Sequence, residues 1–148
     1  MIEKEQIVGL LDKIPFFAKF DPQEKKYLAD LKTQILRYRP SDIIIEEGAI
    51  DKAFFVVLKG SVFISKRKPH DVVIAKLKAG SVFGEIACVG RRARTTYVIA
   101  DGDVITLKID WNQIDKLEPL VQSKIKDQLI GILADRLNIM NDQVKRFA

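Results

Sequence analysis

The chain has 148 residues, of which 47% are hydrophobic and 30% charged, a balance typical of one globular domain and not of a disordered segment. The net charge of +5 comes from scattered cations, and no basic run alternates with aromatic residues, which argues against a nucleic-acid-binding protein. The longest apolar run, "AFFVVL", is far shorter than the roughly 18 residues of a membrane-spanning helix. The N-terminus carries no apolar signal sequence, so we expect a cytoplasmic protein without a membrane partner.

One cysteine and one histidine limit the chemistry open to the chain. Cys88 alone excludes a disulfide within the chain, and His70 lies in the polar stretch "KRKPHD", where we expect a solvated turn. No metal ligands occur at suitable spacing, and no nucleophile with a nearby base can be assembled. We therefore expect no metal, no cofactor and no enzymatic activity.

Residues 1–33 have the apolar spacing of helices. The first helix is predicted to bury a face whose members recur at i, i+3, i+4 and i+7, namely Ile7, Leu10, Leu11 and Ile14. Asp21 followed by Pro22 predicts the start of a second helix, because aspartate is a favoured N-cap and proline suits the first helical position. The aromatic stretch "IPFFAKF" between them is expected to pack on the core.

Residues 34–110 change to short β-branched and aromatic segments separated by turn residues. Strands spaced about 8 to 12 residues apart with turn chemistry between them predict a sandwich or barrel. Turns are expected at Lys59-Gly60 and at Asp101-Gly102, the second of these in a tight hairpin.

Residues 111–148 return to helical spacing. Pro119 suits the first turn of a helix of about 29 residues, which would be roughly 43 Å long. Such a helix could cover the core, close over a ligand or pair with a second copy of the chain. The apolar stripe that would carry a homodimer is Leu129, Ile132, Leu133 and Met140.

The segment "FGEIACVGRRARTT", residues 83–96, combines groups that suit an anion. A short helix that begins after Gly84 would expose unpaired backbone N–H groups, and glycine lets the backbone approach the anion closely. Arg94 supplies a guanidinium that can fork onto two phosphate oxygens, while Thr95 and Thr96 add hydroxyl donors.

Glu85 does not fit an anion site unless it faces another group. A ribose hydroxyl is a suitable partner, because a carboxylate accepts its hydrogen bond. An acid for the sugar and an arginine for the phosphate predict a small nucleotide whose sugar and phosphate lie close together. Simpler interpretations also exist: Gly84 could permit a turn, Glu85 could cap a helix and Arg94 could be a surface charge. Arg91 and Arg92 are expected to be solvated.

The segment resembles the phosphate-binding cassette of the cyclic-nucleotide-binding domain family, which includes regulatory subunits of cyclic-AMP-dependent protein kinase, the bacterial catabolite activator and nucleotide-gated channels. The matching residues are Phe83, Gly84, Glu85, Ile86, Ala87 and Arg94. Upstream, "IIEEG", "FFVV" and Gly60 occur in the family's order. The resemblance covers nearly the whole chain and implies one domain, 1–148, that is mainly β with flanking helices. Its parts would be N-terminal helices (1–33), a jelly-roll β-roll, or double-stranded β-helix (34–110), that contains the cassette (83–96), and long C-terminal helices (111–148).

The resemblance also implies roles for individual residues. Glu85 would bind the ribose 2′-hydroxyl, and Arg94 would bind the cyclic phosphate. The backbone N–H groups that help Arg94 would be those of Gly84, Ile86, Ala87 and Thr95. Ile64, with Val62 as a second candidate, would form an apolar wall, and the base would contact the C-terminal helix.

Two residues depart from the family's pattern. Asp51 stands where a glycine or small residue is usual, and we expect it to alter the turn and not the pocket. Tyr97 is bulkier than the usual residue and would crowd the pocket if its ring pointed inward.

The implied function is a cytoplasmic sensor of cyclic AMP or cyclic GMP that acts on an effector protein and has no catalytic activity. Two alternatives stay open. The chain could be a protein-interaction module that keeps the fold without using a nucleotide, or the sensor part of a longer transcription regulator.

Overall fold

The computed structural model describes residues 3–66, 72–90 and 93–147, with the side chains of Val89 and of residues 143–147 left aside. The predicted turn at His70 and the predicted solvation of Arg91 and Arg92 lie outside the described residues.

Two long antiparallel strands form the centre of the sheet. These are β3 (Ala53–Lys66) and β6 (Tyr97–Asp110), each of 14 residues. The shorter strands are β1 (Ile35–Tyr38) and β2 (Ile43–Ile45), which pair with β6, and β4 (Val72–Lys78) and β5 (Val82–Phe83), which pair with β3. All of these pairings are antiparallel. The predicted class, mainly β with flanking helices, is confirmed.

The turns predicted at Lys59-Gly60 and Asp101-Gly102 are wrong, because both dipeptides lie inside continuous strands. The ladder between β3 and β6 shifts register on both sides of Lys59, as it does at β-bulges. Gly60 and Gly102 have φ angles of +87° and +92°, and a glycine in this conformation can bend a strand without ending it. A bulge therefore carries the same residue types as a turn.

Alternation along β3 divides the apolar interior into two clusters. Successive strand side chains point to opposite faces. Phe54 and Val56 join a cluster that the helices cover, whereas Phe55 and Val57 join a second cluster with residues of β2, β5 and β6. The second cluster forms the floor on which the cassette rests, since Phe83 stacks on Phe55 with ring centroids 5.0 Å apart.

The N-terminal helices pack as the sequence predicts. Helix α1 (Lys4–Asp12) buries Ile7 and Leu11, and Ile14 follows it into the same cluster. Helix α2 (Pro22–Ala29) begins at Asp21, whose Oδ1 accepts from the Glu24 backbone N–H at 2.8 Å. The connector between the two helices forms a 3-10 turn (Pro15–Phe17) whose aromatic rings are buried.

After β6, a 3-10 turn (Trp111–Lys116) leads into α4 (Pro119–Phe147). Val121, Ile125 and Leu129 recur every four residues on α4 and are buried, which fixes the first part of the helix to the domain. The Lys124 ammonium adds an ion pair to the buried carboxylate of Glu24 on α2. None of the helices in the described part of the chain has the length and apolarity of a membrane span.

The stripe predicted to carry a homodimer faces the domain for most of its length. Leu129 is buried, and Ile132 and Leu133 are half-buried against the cluster that the helices cover. Only Met140 is exposed. The prediction of this stripe as a partner surface is therefore wrong for Leu129 and stays a prediction for the other three residues.

We predict that Gly60→Ala destabilises the fold more than Gly102→Ala. A Cβ at Gly60 would lie 2.3 Å from the Asp103 carbonyl oxygen, whereas one at Gly102 would meet no atom within 4 Å. The backbone strain alone is worth about 1 kcal/mol, and the clash raises the loss at Gly60 to roughly 3 kcal/mol. Urea unfolding of both variants measures the difference. Equal losses would contradict the steric argument.

Candidate ligand-binding site

A cavity of about 670 Å³ opens between the sheet, the cassette and α4. This volume lies within the range of about 300 to 1,000 Å³ that is usual for small-molecule sites. All the site residues predicted from the sequence line it: Ile64, Gly84, Glu85, Ile86, Ala87, Arg94, Thr95 and Thr96. Apolar side chains from the sheet, including Ile45, Leu77 and Val98, complete the wall.

At the start of the cassette, the backbone of Gly84 lies close to the side chain of Arg94. Gly84 has a φ of +82° and precedes α3 (Ile86–Val89), a single helical turn. A Cβ at Gly84 would lie 3.0 Å from the Ala53 carbonyl oxygen and 3.1 Å from Arg94 Nη1. Glycine is therefore required both by the backbone conformation and by the position of Arg94.

Arg94 is buried, which excludes its interpretation as a surface charge. Its Nη1 donates to the Gly84 carbonyl oxygen at 2.8 Å, and its Nη2 donates to the Ala53 carbonyl oxygen. The Nε and Nη2 groups also donate to the two carboxylate oxygens of Asp51. These contacts use four of the five N–H groups of a guanidinium and leave one on Nη1 without an acceptor among the described residues.

Asp51 therefore belongs to the site, and the expectation that it alters only the turn is wrong. Its carboxylate forms a forked ion pair with Arg94. Partial burial would raise the pKa of Asp51, but hydrogen bonds from Arg94 and from the Ala53 backbone outweigh that effect and the pKa is lowered. Asp51 stays ionised and holds the Arg94 guanidinium in one orientation.

Glu85 carries a buried carboxylate with one oxygen engaged and one free. The side chain is 1% exposed, and its Oε1 forms an ion pair with Arg136 of α4. Its Oε2 is buried and has no hydrogen-bond partner among the described residues. Burial raises the pKa of Glu85, although Arg136 and Arg94 act in the opposite direction.

Arg136 is a second charged site residue that the sequence analysis missed. It lines the cavity, pairs with Glu85 and donates from Nη2 to the Val82 carbonyl oxygen at 3.1 Å. A signal was present, because Arg136 lies seven residues after the buried Leu129 and so on the same side of α4. A charged residue on a domain-facing stripe needs a partner in the domain.

Two possibilities that the sequence left open for the cavity wall are not realised. Val62 is fully buried in the second cluster and does not line the cavity, although Ile64 does. Tyr97 does not crowd the cavity, because its neighbour Val98 takes the inward position on β6 and successive strand residues face opposite ways.

Cys88 has a structural environment. Its thiol is buried, and the desolvation raises its pKa to about 11, so the sulfur stays protonated and unreactive at neutral pH. Within the described ranges, no group of three or more His, Cys, Asp or Glu side chains is arranged to hold a metal ion.

The cavity geometry agrees with a comparison of the sequence with known families. Residues 35–118 match the cyclic nucleotide-binding domain. The chain belongs to this family. The predicted resemblance is confirmed, and the domain's match includes the cassette and every strand of the sheet.

Individual relatives carry the same domain within longer proteins. The chain is 31% identical over 147 residues to the potassium/sodium hyperpolarization-activated cyclic nucleotide-gated channel 2 of Mus musculus, a match that covers 93% of the chain and 16% of the channel. It is 29% identical over 110 residues to the cAMP-dependent protein kinase regulatory subunit of Hypocrea atroviridis, with 74% of the chain and 23% of that protein covered. The chain thus spans less than a quarter of either relative.

A solved structure extends the likeness to the fold. The cyclic nucleotide-binding domain from Methylobacillus flagellatus superposes with a TM-score of 0.69 at 22% identity, covering 98% of this chain and 84% of that one. The predicted β-roll with N-terminal helices and a C-terminal helix is confirmed by this match.

We predict that Arg136→Gln destabilises the fold in a pH-dependent manner. The substitution leaves the buried Glu85 carboxylate without its countercharge, a loss of about 1–3 kcal/mol near neutral pH. The pKa of Glu85 then rises further, so lowering the pH protonates the unpaired carboxyl and narrows the gap to wild type. Urea unfolding at neutral and mildly acidic pH measures the free energy of unfolding of wild type and of the variant at each pH. Arg39→Gln, at an exposed arginine, is the matched control. A difference in unfolding free energy between wild type and Arg136→Gln that stays constant with pH would contradict the prediction.

Proposed function

We propose that the chain binds a cyclic nucleotide in this cavity and acts as a cytoplasmic sensor or regulatory module without catalytic activity of its own. One observation carries the proposal. Among the described residues, the cavity is lined by Glu85, one of whose carboxylate oxygens is buried without a donor, and by the buried Arg94, one of whose N–H groups has no acceptor. A ligand with a hydroxyl and an anionic oxygen a few ångströms apart would satisfy both groups, and the ribose and phosphodiester of a cyclic nucleotide provide them.

The phosphate would lie against Arg94 and the start of α3. Asp51 and the two backbone carbonyl oxygens hold the guanidinium in place, so little side-chain entropy remains to be lost on binding. The free Nη1 hydrogen and the backbone N–H groups at the start of α3 would then donate to the phosphate oxygens. Thr95 and Thr96 line the same side of the cavity and can add hydroxyl donors.

The ribose would lie against Glu85. Its 2′-hydroxyl can donate to Oε2, while Oε1 keeps its ion pair with Arg136. The two oxygens of one carboxylate would thus connect the ligand to α4. The apolar residues Ile64, Leu77 and Val98 would cover the base, which either cyclic AMP or cyclic GMP could supply.

The signal would pass through α4 to an effector protein. A ligand shifts a conformational equilibrium only if it binds the two states with different affinity. A hydroxyl donor on Glu85 redistributes charge on the carboxylate that Arg136 holds, so the contact between the cassette and α4 changes in strength when the ligand binds.

A second function is favoured by the way the charged groups already satisfy one another. Asp51 neutralises Arg94, and Arg136 neutralises Glu85, so these four charges of the site compensate in pairs. A protein-interaction module that keeps the fold without a nucleotide would need such pairing. The third possibility, the sensor part of a longer transcription regulator, uses the same nucleotide site and differs only in the output that the nucleotide would control.

We predict that cyclic AMP or cyclic GMP binds to the wild-type chain and that Arg94→Ala weakens binding by about 2–5 kcal/mol, because the phosphate loses its charged partner. Isothermal titration calorimetry with both nucleotides measures the affinities. Arg39→Ala, at an exposed arginine, is the control.

Because Arg94 also holds Asp51 and two backbone carbonyls, Arg94→Lys serves as a second variant that keeps the charge, and circular dichroism verifies the fold of each. Binding that Arg94→Ala leaves unchanged would refute the site. No binding by wild type, together with no nucleotide-dependent rise in its melting temperature, would favour the interaction module.

We also predict that nucleotide affinity falls as the pH is lowered from neutral to acidic values, because Glu85, whose pKa is raised by burial, takes up a proton at a higher pH than an ordinary glutamate and then no longer accepts from the ribose with full strength. In Glu85→Gln the affinity should be at least about tenfold weaker at the higher pH and nearly independent of pH. Calorimetry across the pH series tests this. An equally steep pH dependence in the variant would assign the proton to another group.

A further inference from the structure

The first half of strand β4 carries a run of exposed apolar side chains. Val72, Val73 and Ile74 follow one another in the sequence, and their exposed fractions are 52%, 54% and 54%. In a strand with regular alternation, every second residue would turn towards the cavity, as Leu77 does. Three consecutive exposed apolar residues break this pattern, and such a run is unfavourable in water unless it serves a contact.

A bulge in β4 explains why the whole run is exposed. Ile64 and Ser65 are neighbours on β3, but their partners on β4 are Ala75 and Val73, so Ile74 has no counterpart. An extra residue of this kind bends the strand and redirects the side chains beside it. Pairing with β3 continues on both sides of the bulge, so the exposed run belongs to the sheet and not to a loop.

The backbone of β4 is also open along its outer edge. The strand pairs with β3 on one side, and no other described strand pairs with it. In the described part of the chain, no backbone hydrogen bond joins residues 72–77 to any segment other than β3. An edge with unpaired N–H and C=O groups can accept a further extended segment, and the 7 residues of β4 offer a ladder of roughly 23 Å.

The charges on both sides of the apolar run are positive. Lys66 lies opposite Val72 on β3, and Lys76 and Lys78 follow the run on β4. Asp101 forms an ion pair with Lys76 at 2.9 Å. Lys66 and Lys78 are exposed, and neither has an ion pair with a described residue. Two uncompensated cations therefore flank the apolar run, and they attract an acidic partner and repel a basic one.

We propose that β4 is a docking edge for an acidic protein segment that adds to the sheet as an extended strand. Its apolar side chains would cover Val72, Val73 and Ile74, and its carboxylates would lie near Lys66 and Lys78. Main-chain hydrogen bonds would hold the segment, while these side-chain contacts would select it. A membrane surface is a poorer partner, because hydrocarbon cannot pair with the open backbone groups of β4.

Titration of the whole chain with a synthetic peptide tests the proposal without nucleotide, so its outcome is separate from that of the proposed function. The probe has about eight residues in which valine and glutamate alternate, a length matched to β4, and the control peptide has lysine in place of every glutamate. We expect a dissociation constant on the order of 100 µM for the acidic peptide, with NMR shift changes at the backbone amides of β4, and binding at least about tenfold weaker for the basic one. No binding of the acidic peptide, or equal binding of both peptides, would overturn the proposal.

Matched variants test the location of the site. Val73→Glu should raise the dissociation constant of the acidic peptide at least about tenfold, because it replaces an apolar contact with a like charge. Ile50→Glu is the control, since Ile50 is 84% exposed and lies outside β4. Lys78→Glu should weaken binding, whereas Lys32→Glu, at an exposed lysine outside the sheet, should not. Circular dichroism verifies the fold of each variant, and equal losses in the variants and their controls would refute docking at β4.

Vesicles that contain phosphatidylserine test the membrane alternative. We expect the wild-type chain not to sediment with them beyond the level of Val73→Glu, because the lipid surface leaves the edge of β4 unpaired. Strong sedimentation of wild type that Val73→Glu abolishes would assign the exposed run to a membrane and refute the docking of a protein segment.

Discussion

A buried guanidinium must have an acceptor in nearly every direction, and the cassette is organised around this requirement of Arg94. The carboxylate of Asp51 and the carbonyl oxygen of Ala53, at the start of β3, and the carbonyl oxygen of Gly84, in the cassette, come from two separate segments and converge on it. Gly84 has to lack a side chain because Arg94 already occupies the space. The positions of the Asp51 loop, the start of β3 and the short helix α3 thus depend on the side chain of Arg94. A phosphate in the cavity would meet a guanidinium that is already oriented.

Glu85 extends this arrangement to the C-terminal helix. Its carboxylate is almost wholly removed from water, so its charge depends on Arg136 of α4 and on nearby Arg94. Alternating charges therefore run from Asp51 through Arg94 and Glu85 to Arg136, and they join the loop before β3 to a helix more than 80 residues later in the chain. A ligand bound between Arg94 and Glu85 would therefore affect both the loop that carries Asp51 and the helix that carries Arg136.

Most of the local structure could be predicted from the sequence, and the failures share a physical cause. The helices, the strands, the cassette and its family could be predicted, because hydrophobic periodicity, capping residues and a short motif are all local signals. The partners of Asp51 and Arg136 could not be assigned, because each partner lies far along the chain. The bulges at Gly60 and Gly102 resembled turns, since both use glycine at positive φ. The resemblance to the family placed Ile64 in the wall but could not show that Val62, two residues earlier on β3, is sealed in the core.

The fully buried side chains that hold α4 lie in its first part, and this has a mechanical consequence. Glu24 binds Lys124, and buried side chains hold the helix as far as Leu129, so this first part behaves as a pivot. The remaining 18 residues to Phe147 form a rod of roughly 27 Å. A tilt of about 10° at the pivot would carry the far tip through roughly 5 Å, a distance comparable to one helical turn. Arg136, which contacts Glu85, lies seven residues or roughly 10 Å beyond the pivot, so a displacement there would be about two and a half times as large at the far tip of the helix.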